Sequence, residues 1–306
     1  MFSIFSIFSI HAKGNVRKGK MPVHLVDAAK MGCYTREKPD GKDVLKMELG
    51  VQIYGCMREF RADPEAFCTR LRAAGYTQIE PCVSLSMDAA ALEKNGMNPV
   101  WQPAEAAGFI RLLQNHGLSF SSCHVFGDLR ADAEKAAAFA AENGARELVV
   151  NCPGGETAES YRRFAESCLY LAEKLDAVGV QLWVHNGWPE IRAHFDGKTG
   201  LELVLEACGG KVGAQIDVGW VLYGGEDPVA YLETVRPYLR SIHYKDVRPA
   251  LPLDQIHVPL GGGALNWRGV RAFARQNGIP ELIDQDVSAG DFLLDLEQSA
   301  RRLAEA

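Results

Sequence analysis

The chain has 306 residues, 47% of them apolar, and a formal net charge of −6. This acidic balance and the absence of a basic stripe disfavour DNA or RNA as a partner, because nucleic-acid-binding proteins usually carry a basic excess. No run of about 18 apolar residues occurs, so no membrane-spanning segment is expected. The eight cysteines are scattered and include no Cys-x-x-Cys pair, which favours a reduced, cytoplasmic protein without disulfides or a cysteine zinc site.

Residues 1–46 differ in composition from the rest of the chain. Phe-Ser-Ile occurs three times at the start, and a polar, basic segment follows it. A secretory signal would have its basic residues before the apolar run. We therefore predict a disordered or artefactual leader, with a targeting or packing role as the alternative, and a single domain over residues 47–306.

From Glu48 onward, short apolar runs typical of strands alternate with longer runs of helical periodicity. The first strand is predicted over 48–54 and the first helix over 63–75, where Asp63 suits the N-cap and Gly75 the C-terminal end. The other predicted strands are 76–83, 118–126, 147–152, 180–185, 212–218, 239–244 and 280–285. The other predicted helices are 104–116, 130–143, 159–178, 199–207, one starting at Asp227-Pro228, 267–277 and 291–304.

Eight strand–helix units of this length predict a closed (β/α)8 TIM barrel of the α/β class, because alternation implies parallel strands with crossover helices. An open doubly wound sheet is the alternative. No Gly-x-Gly-x-x-Gly follows the first strand, so a dinucleotide site is not expected there.

Ionisable side chains follow the last four predicted strands. They are Glu190, Asp217, His243 and Asp284. Since active groups of such barrels gather at the C-terminal strand ends, these four are expected to lie close together. Unpaired, they would be costly to bury, whereas a divalent cation would stabilise them. One nitrogen and three oxygen ligands favour Mn²⁺, Mg²⁺ or Co²⁺ over a structural zinc. Taken singly, an aspartate after a strand is more often a helix cap or a loop residue, and a histidine is more often a hydrogen-bonded core residue. Their coincidence at four equivalent strand ends favours the metal site.

Several motifs in the C-terminal half occur in an order typical of one family. The chain resembles sugar phosphate isomerase/epimerase proteins with the xylose-isomerase-like barrel. The motifs that carry the resemblance are, in chain order, "VHNGWPEI", "IDVGW", "GGEDPVAYL", "IHYKD", "VPLGGGALNW" and "LIDQD". The resemblance implies a divalent-metal site that binds vicinal oxygens of a sugar. Its matching positions are Glu190, Asp217 and His243 as ligands, with Lys245, His124 and Trp220 lining the substrate.

Two residues depart from the family pattern. Gly187 stands where the family has the second His of His-Asn-His, and Asp284 stands where the last ligand is Glu.

The ligand from the fifth strand has two candidates. We prefer Glu190, with His185 as a catalytic or substrate-binding neighbour, over His185 itself. Mn²⁺ is the preferred metal, with Mg²⁺, Co²⁺ and Zn²⁺ as alternatives.

The predicted function is a divalent-metal-dependent isomerase or epimerase of a sugar or keto-sugar in carbohydrate metabolism, acting through an enediolate. Glu190 and Asp284 would flank the reacting carbon, a ligand carboxylate or His185 would act as base, and Lys245 completes the catalytic set. Glu80 would bind a sugar hydroxyl or belong to the polar interior of the barrel.

Alternative functions share the same site. They are a dehydratase or lyase acting on a keto-sugar or keto-glycoside, and a non-catalytic sugar-binding relative. A metal-dependent endonuclease is disfavoured by the acidic charge. The partner is expected to be a small sugar, with no nucleic acid and no membrane, and assembly into a homo-oligomer is left open.

Two further candidates are weaker. The segment 261–267 could bind a phosphate, since barrel phosphate sites often use the late loops. We prefer a turn in which Asn266 caps a helix beginning at Trp267. Cys152 as a nucleophile is not favoured, because no histidine is in a recognisable pairing with it.

Overall fold

The computed structural model describes residues 34–35, 46–120 and 122–305. The predicted leader lies almost wholly outside these residues. Eight parallel strands form a ring: β1 (Leu49–Gln52), β2 (Gln78–Glu80 and Cys82–Ser84), β3 (Ser119–Phe120 and Ser122–Phe126), β4 (Glu147–Asn151), β5 (Gln181–His185), β6 (Gly213–Asp217), β7 (Leu239–Tyr244) and β8 (Glu281–Ile283). Each strand pairs with the next, and β8 pairs with β1. The predicted (β/α)8 barrel is therefore confirmed.

The second strand is interrupted at Pro81, where the sequence predicted one continuous run. Proline has no N–H to donate to a ladder. Its carbonyl still accepts a hydrogen bond of 2.9 Å from the backbone N–H of His124, so the pairing of β2 with β3 continues across the break.

Helices surround the ring and also cover its C-terminal end. They are α1 (Met57–Ala62), α2 (Pro64–Ala74), α3 (Ala89–Lys94), α4 (Pro103–Asn115), α5 (Ala133–Asn143), α6 (Ala158–Asp176), α7 (Pro189–Arg192), α8 (Gly200–Cys208), α9 (Val218–Gly224), α10 (Pro228–Val235), α11 (Trp267–Asn277) and α12 (Phe292–Ala304). The eight predicted helices are present within about three residues of their expected bounds. The sequence did not predict α1, α3, α7 and α9, because four to seven residues are too few to display helical periodicity.

The predicted helix ends follow from local capping. Asp63 accepts a hydrogen bond of 3.0 Å from the N–H of Ala66, and Asp227 accepts one of 2.8 Å from that of Ala230. Each satisfies a donor that the first helical turn leaves without an intrahelical partner. Gly75 ends α2 with a φ of 102°, a conformation that glycine adopts without strain.

Three short antiparallel pairs complete the described structure. They join Tyr34–Thr35 to Lys46–Met47, His194–Phe195 to Lys198–Thr199, and Asp246–Val247 to His257–Val258. The last pair extends β7 over the C-terminal end of the barrel.

The main core lies between the strand ring and the outer helices and consists of buried aliphatic and aromatic side chains. A second, smaller cluster lies at the C-terminal end of the ring, beside α3, and contains Tyr54, Leu92, Met97, Val100 and Phe126. The seven cysteines of the described residues are free and buried, as expected for small core hydrophobes in a reduced protein. Among the described helices, none combines the length and apolar character that a bilayer crossing requires.

Gly55 lies where β1 approaches the end of β8, and we expect Gly55→Ala to destabilise the protein by at least about 1–3 kcal/mol. A methyl group there would overlap the carbonyl oxygen of Gln285. Gly108→Ala in α4 is the matched control, since its methyl group would meet nothing within 4 Å. It should stabilise the protein by about 0.5–1 kcal/mol. Urea unfolding of both variants measures the difference, and equal stabilities would contradict the expectation.

Candidate active site

Ionisable and polar side chains converge where the strands end. Glu80 comes from β2, His124 from β3, His185 from β5, Asp217 from β6 and His243 from β7. Asp284 follows β8 directly. All six side chains are buried. Because the carboxyl ends of parallel strands meet at one end of the ring, residues far apart in sequence are brought into contact.

One group of these residues can hold a metal ion. Ligand atoms of His185, Asp217, His243 and Asp284 all lie within 4.8 Å of one another, and we call these residues the strand-end group. Three of them are predicted ligands. His185, the alternative ligand from the fifth strand, lies with them. A second set, His124, His185 and His243, meets the same distance condition.

Lys245 is the central cation of the site. Its Nζ lies 3.0 Å from Asp217 Oδ2, 2.9 Å from Asp284 Oδ2 and 2.8 Å from Asp286 Oδ2. Burial disfavours the ammonium, but these three carboxylates outweigh it and raise the pKa of Lys245 well above its usual value. The side chain therefore remains charged and can donate hydrogen bonds, but it cannot serve as a general base near neutral pH.

His243 lies between two carboxylates. Its Nε2 is 2.8 Å from Glu80 Oε1, and its Nδ1 is 3.2 Å from Asp284 Oδ2. Burial opposes protonation, but Glu80 and Asp284 overcome it and raise the pKa of His243 to about 10. The same attraction from His243 and His124 outweighs burial at Glu80 and holds the pKa of that carboxyl well below its usual range.

Gln215 connects the polar side chains from inside the barrel, and the sequence reasoning missed it. Its Oε1 is 3.0 Å from His185 Nδ1 and 2.8 Å from His124 Nε2, while its Nε2 donates to Glu80 Oε2 at 2.9 Å. Since Oε1 can only accept, both imidazole nitrogens are assigned as N–H donors. His185 Nε2 then carries a lone pair, 3.9 Å from Asp217 Oδ2. The sequence signal that could have identified it is a polar glutamine in the middle of the buried strand β6.

The donor atoms fit a divalent cation. Asp284 Oδ1 is buried and has no hydrogen-bond partner. Asp217 Oδ2 contacts Lys245 at 3.0 Å, and Glu80 Oε1 contacts His243 Nε2 at 2.8 Å. Around them, the four carboxylates of Glu80, Asp217, Asp284 and Asp286 face two cationic side chains, Lys245 and His243. Burial and the charge of Asp284 raise the pKa of Asp217 to about 6, although Lys245 opposes the shift. An additional positive charge would relieve this excess of carboxylates.

Glu190 is in α7, apart from the strand-end group. One carboxylate oxygen accepts a hydrogen bond from the N–H of Gly187, and Oε2 has no hydrogen-bond partner. Burial raises the pKa of Glu190 to about 8, despite these backbone contacts. Within the described residues, no set of metal-ligand atoms meeting the 4.8 Å condition includes Glu190. Its assignment as a ligand and catalytic carboxylate remains a prediction.

Asn186 has a structural role in the turn after β5. Its Oδ1 accepts a hydrogen bond of 2.9 Å from the N–H of Asp217, and its Nδ2 donates to the carbonyl of Asp217 at 3.2 Å. Asp217 in turn accepts the N–H of Trp220 at 3.0 Å, which starts α9. The amide thus holds the end of β5 against the end of β6 and helps to orient a member of the strand-end group.

A small cavity, open to solvent, lies beside the strand-end group. The aromatic side chains of Tyr54, Phe126 and Trp220 are part of its lining, and we call them the aromatic wall. The predicted site residues His124, His185, Lys245 and Asp284 line it too, together with Asp286. Glu80, Asp217 and His243 are not part of this lining. Glu80 contacts His124 at 3.2 Å and His243 at 2.8 Å, in the polar interior of the barrel.

The glycine-rich segment 261–265 encloses a carboxylate of the protein itself. Asp246 accepts hydrogen bonds from the N–H groups of Gly261, Gly263 and Leu265 at 2.8, 3.0 and 3.0 Å. Asn266 accepts the N–H of Gly269 at 3.2 Å and caps α11, which begins at Trp267 as predicted. The preferred interpretation of this segment as a turn is confirmed.

Cys152 has the properties of a core residue. Its side chain is buried, and burial raises the pKa of its thiol well above the usual value. A thiolate is therefore strongly disfavoured, in agreement with the low expectation for a nucleophile at this position.

The raised pKa of Glu190 predicts a pH-dependent contribution to stability. The folded protein holds this proton up to about pH 8, whereas the unfolded chain releases it near pH 4.5. The contribution is therefore complete below pH 4.5 and is lost as the pH rises through 8. In buffer that contains a chelator, the midpoint of wild-type thermal unfolding should fall more between about pH 4.5 and pH 8 than that of Glu190→Gln. Parallel pH profiles of the two proteins would show that Glu190 is not buried as a neutral carboxyl.

Comparison with known proteins agrees with this architecture. A family model of the xylose isomerase-like TIM barrel matches residues 68–304. A sugar phosphate isomerase/epimerase from Parabacteroides distasonis is 22% identical, with a TM-score of 0.69 over 85% of this chain and 94% of that chain. The probable 3-DHS dehydratase AsbF from Bacillus anthracis is 12% identical, with a TM-score of 0.61 over 84% of this chain and 99% of that chain.

The IOLI protein with a bound zinc atom is 13% identical, with a TM-score of 0.61 over 84% of this chain and 96% of that chain. At these identities the solved structures establish the fold alone. A search among curated proteins found no match. The family model spans most of the chain, and the protein belongs to the xylose isomerase-like TIM barrel family.

Proposed function

We propose that the protein is a metal-dependent isomerase or epimerase of a small sugar or keto-sugar that acts through an enediolate. The observation that supports this most is the strand-end group, two imidazoles and two carboxylates within 4.8 Å of one another beside an open cavity. Similarity to a sugar phosphate isomerase/epimerase agrees with it. A dehydratase begins with the same proton abstraction and is the second candidate, since AsbF has the same fold.

The proposed ligands are His185, Asp217, His243 and Asp284. A cation at His243 would displace the proton that Glu80 and Asp284 stabilise there, because only a neutral imidazole binds a metal. His185 replaces Glu190 in this proposal, because its Nδ1–H is directed to Gln215 and its Nε2 lone pair faces the group. This hydrogen-bond arrangement is typical of metal-binding histidines. When bound, a divalent cation would polarise the substrate carbonyl and stabilise negative charge on its oxygen. Two nitrogens and two oxygens suit Zn²⁺ as well as the predicted Mn²⁺, and the IOLI structure contains zinc.

Asp284 is the proposed base. It lines the cavity, and its Oδ1 has no hydrogen-bond partner. Burial acts against its charged form, but Lys245 and His243 outweigh burial and hold the pKa of Asp284 well below its usual range. The carboxylate is thus ionised, and the oxygen that does not bind the cation can take a proton from the carbon beside a carbonyl. Lys245 remains protonated and would donate a hydrogen bond to a substrate oxygen.

Metal content tests the ligand set. We expect Asp217→Ala, His243→Ala and His185→Gln to lose bound Mn²⁺ or Zn²⁺ and to keep their fold, because the barrel core is built from other side chains. The metal is quantified by mass spectrometry after dialysis against one equivalent of each ion, and circular dichroism checks the fold. Full occupancy in the Asp217 and His243 variants would refute the site.

Glu190→Gln is the control for His185→Gln, because Glu190 is the other candidate ligand from the segment that follows the fifth strand. We expect it to retain the metal, because Glu190 lies outside the strand-end group. Loss of metal in Glu190→Gln together with retention in His185→Gln would reverse the assignment and support Glu190 as the ligand.

Deuterium exchange tests the chemistry. The metal-loaded protein in D₂O should introduce deuterium at the carbon beside the carbonyl of an accepted ketose, and NMR detects the exchange. Asp284→Asn should reduce the exchange rate by about 100-fold or more while metal is still present, since an amide cannot accept the proton. Equal rates in wild type and Asp284→Asn would exclude Asp284 as the base.

A further inference from the structure

We infer that the substrate of this site is an unphosphorylated, uncharged polyhydroxy compound that lies against the aromatic wall formed by Tyr54, Phe126 and Trp220. The inference rests on the proposed function, because it assumes that the cavity beside the strand-end group binds a sugar. It is carried by the charges that line the cavity, by the contacts of the glycine-rich segment and by the aromatic side chains.

Lys245 is the only cationic side chain, apart from the histidines, among the described residues that line this cavity. Its Nζ already contacts Asp217, Asp284 and Asp286 at 2.8–3.0 Å. A phosphate ester in the cavity would face the carboxylates of Asp284 and Asp286 without an arginine fork to bind it. The buried Asp284 and the partly exposed Asp286 would repel a dianion placed beside them, and the one lysine that could attract it is already in contact with both carboxylates.

The glycine-rich segment offers no alternative phosphate site. Successive backbone N–H groups of this kind form anion-binding concavities. Here the N–H groups of Gly261, Gly263 and Leu265 donate to the carboxylate of Asp246, which is 3% exposed. A methyl group on Gly263 would overlap Asp246 Oδ1, so the backbone is closed around this side chain. The anion that the segment binds is therefore part of the protein.

The cavity wall suits a molecule with an apolar face and several hydroxyl groups. Tyr54 and Phe126 pack edge to face, with ring centroids 6.1 Å apart, and belong to the apolar cluster beside α3. Asn151 and His124 line the cavity and offer hydrogen-bonding groups. Aromatic rings contact the C–H face of a sugar ring, and amide and imidazole groups orient its hydroxyls.

Matched pairs of substrates test the inference. D-fructose, D-tagatose and D-xylulose are compared with their terminal phosphate esters in the deuterium-exchange assay on the metal-loaded protein. We expect exchange into at least one free ketose, with kcat/KM roughly 100-fold or more above that of its ester. Preference for an ester would overturn the inference and leave the proposed function intact.

A binding measurement with the same sugars distinguishes a failure of the inference from a failure of the proposed function. If no ketose or ester exchanges deuterium, the proposed chemistry fails, and saturation-transfer NMR is then run with the same pairs. Binding of free ketoses without their esters would still support the inference about the cavity. Binding of the esters, or of neither member of any pair, would overturn it.

Inorganic phosphate probes the glycine-rich segment. At constant ionic strength, phosphate in place of chloride should leave the unfolding midpoint of the wild-type protein unchanged. Asp246→Ser should unfold at a lower temperature and regain several degrees with phosphate, because its N–H donors are then open to an anion. Stabilisation of the wild-type protein by phosphate would overturn the inference, whether or not the variant folds.

The aromatic wall is tested with Phe126→Leu, which keeps an apolar side chain but removes the ring. For a free ketose we expect KM to rise about 5-fold or more with little change in kcat, since stacking binds the substrate before and during the reaction alike. Unchanged KM would remove Phe126 from the proposed wall.

Discussion

The contact of the Lys245 ammonium with three carboxylates is the interaction on which the site depends. It joins the ends of β6, β7 and β8, because Asp217 ends β6 while Lys245 and Asp284 directly follow β7 and β8. Asp286 completes the set of carboxylates within 3.0 Å of the ammonium. Without this cation, three acidic groups would meet in a volume from which water is largely excluded, and their repulsion would separate the strand ends. Lys245 also lies 4.9 Å from the ring of Trp220, which places the charge beside the aromatic wall.

This interaction leaves the site with more carboxylate than cationic charge, and both proposals follow from that balance. A divalent cation would offset the excess, whereas a phosphorylated substrate would increase it. Gln215 and Asn186 support this arrangement through hydrogen bonds. Gln215 accepts an N–H from His185 and from His124, which determines the ring nitrogen that carries that proton, and Asn186 binds the backbone of Asp217. Such supporting hydrogen bonds decide whether ligand side chains keep one orientation.

The two departures from the family motif have different structural consequences. Asp284, which is one methylene shorter than glutamate, still lies within the strand-end group and contacts both His243 and Lys245. Gly187 donates its backbone N–H to Glu190. This bond, together with the position of Glu190 in α7, leaves the carboxylate outside the group. We therefore proposed His185 as the ligand from the fifth strand.

The sequence alone determined the (β/α)8 barrel, the order of its elements and the strand-end position of its ionisable residues. These follow from hydrophobic periodicity and capping, which act between neighbours in the chain. The direction of a side chain after a strand ends depends instead on contacts between segments far apart in sequence. Only the tertiary structure therefore placed His185 rather than Glu190 in the strand-end group, revealed Gln215 and showed Asp246 bound by the glycine-rich segment. Hydrogen-bond geometry and burial decide these points, and neither can be calculated from spacing along the chain.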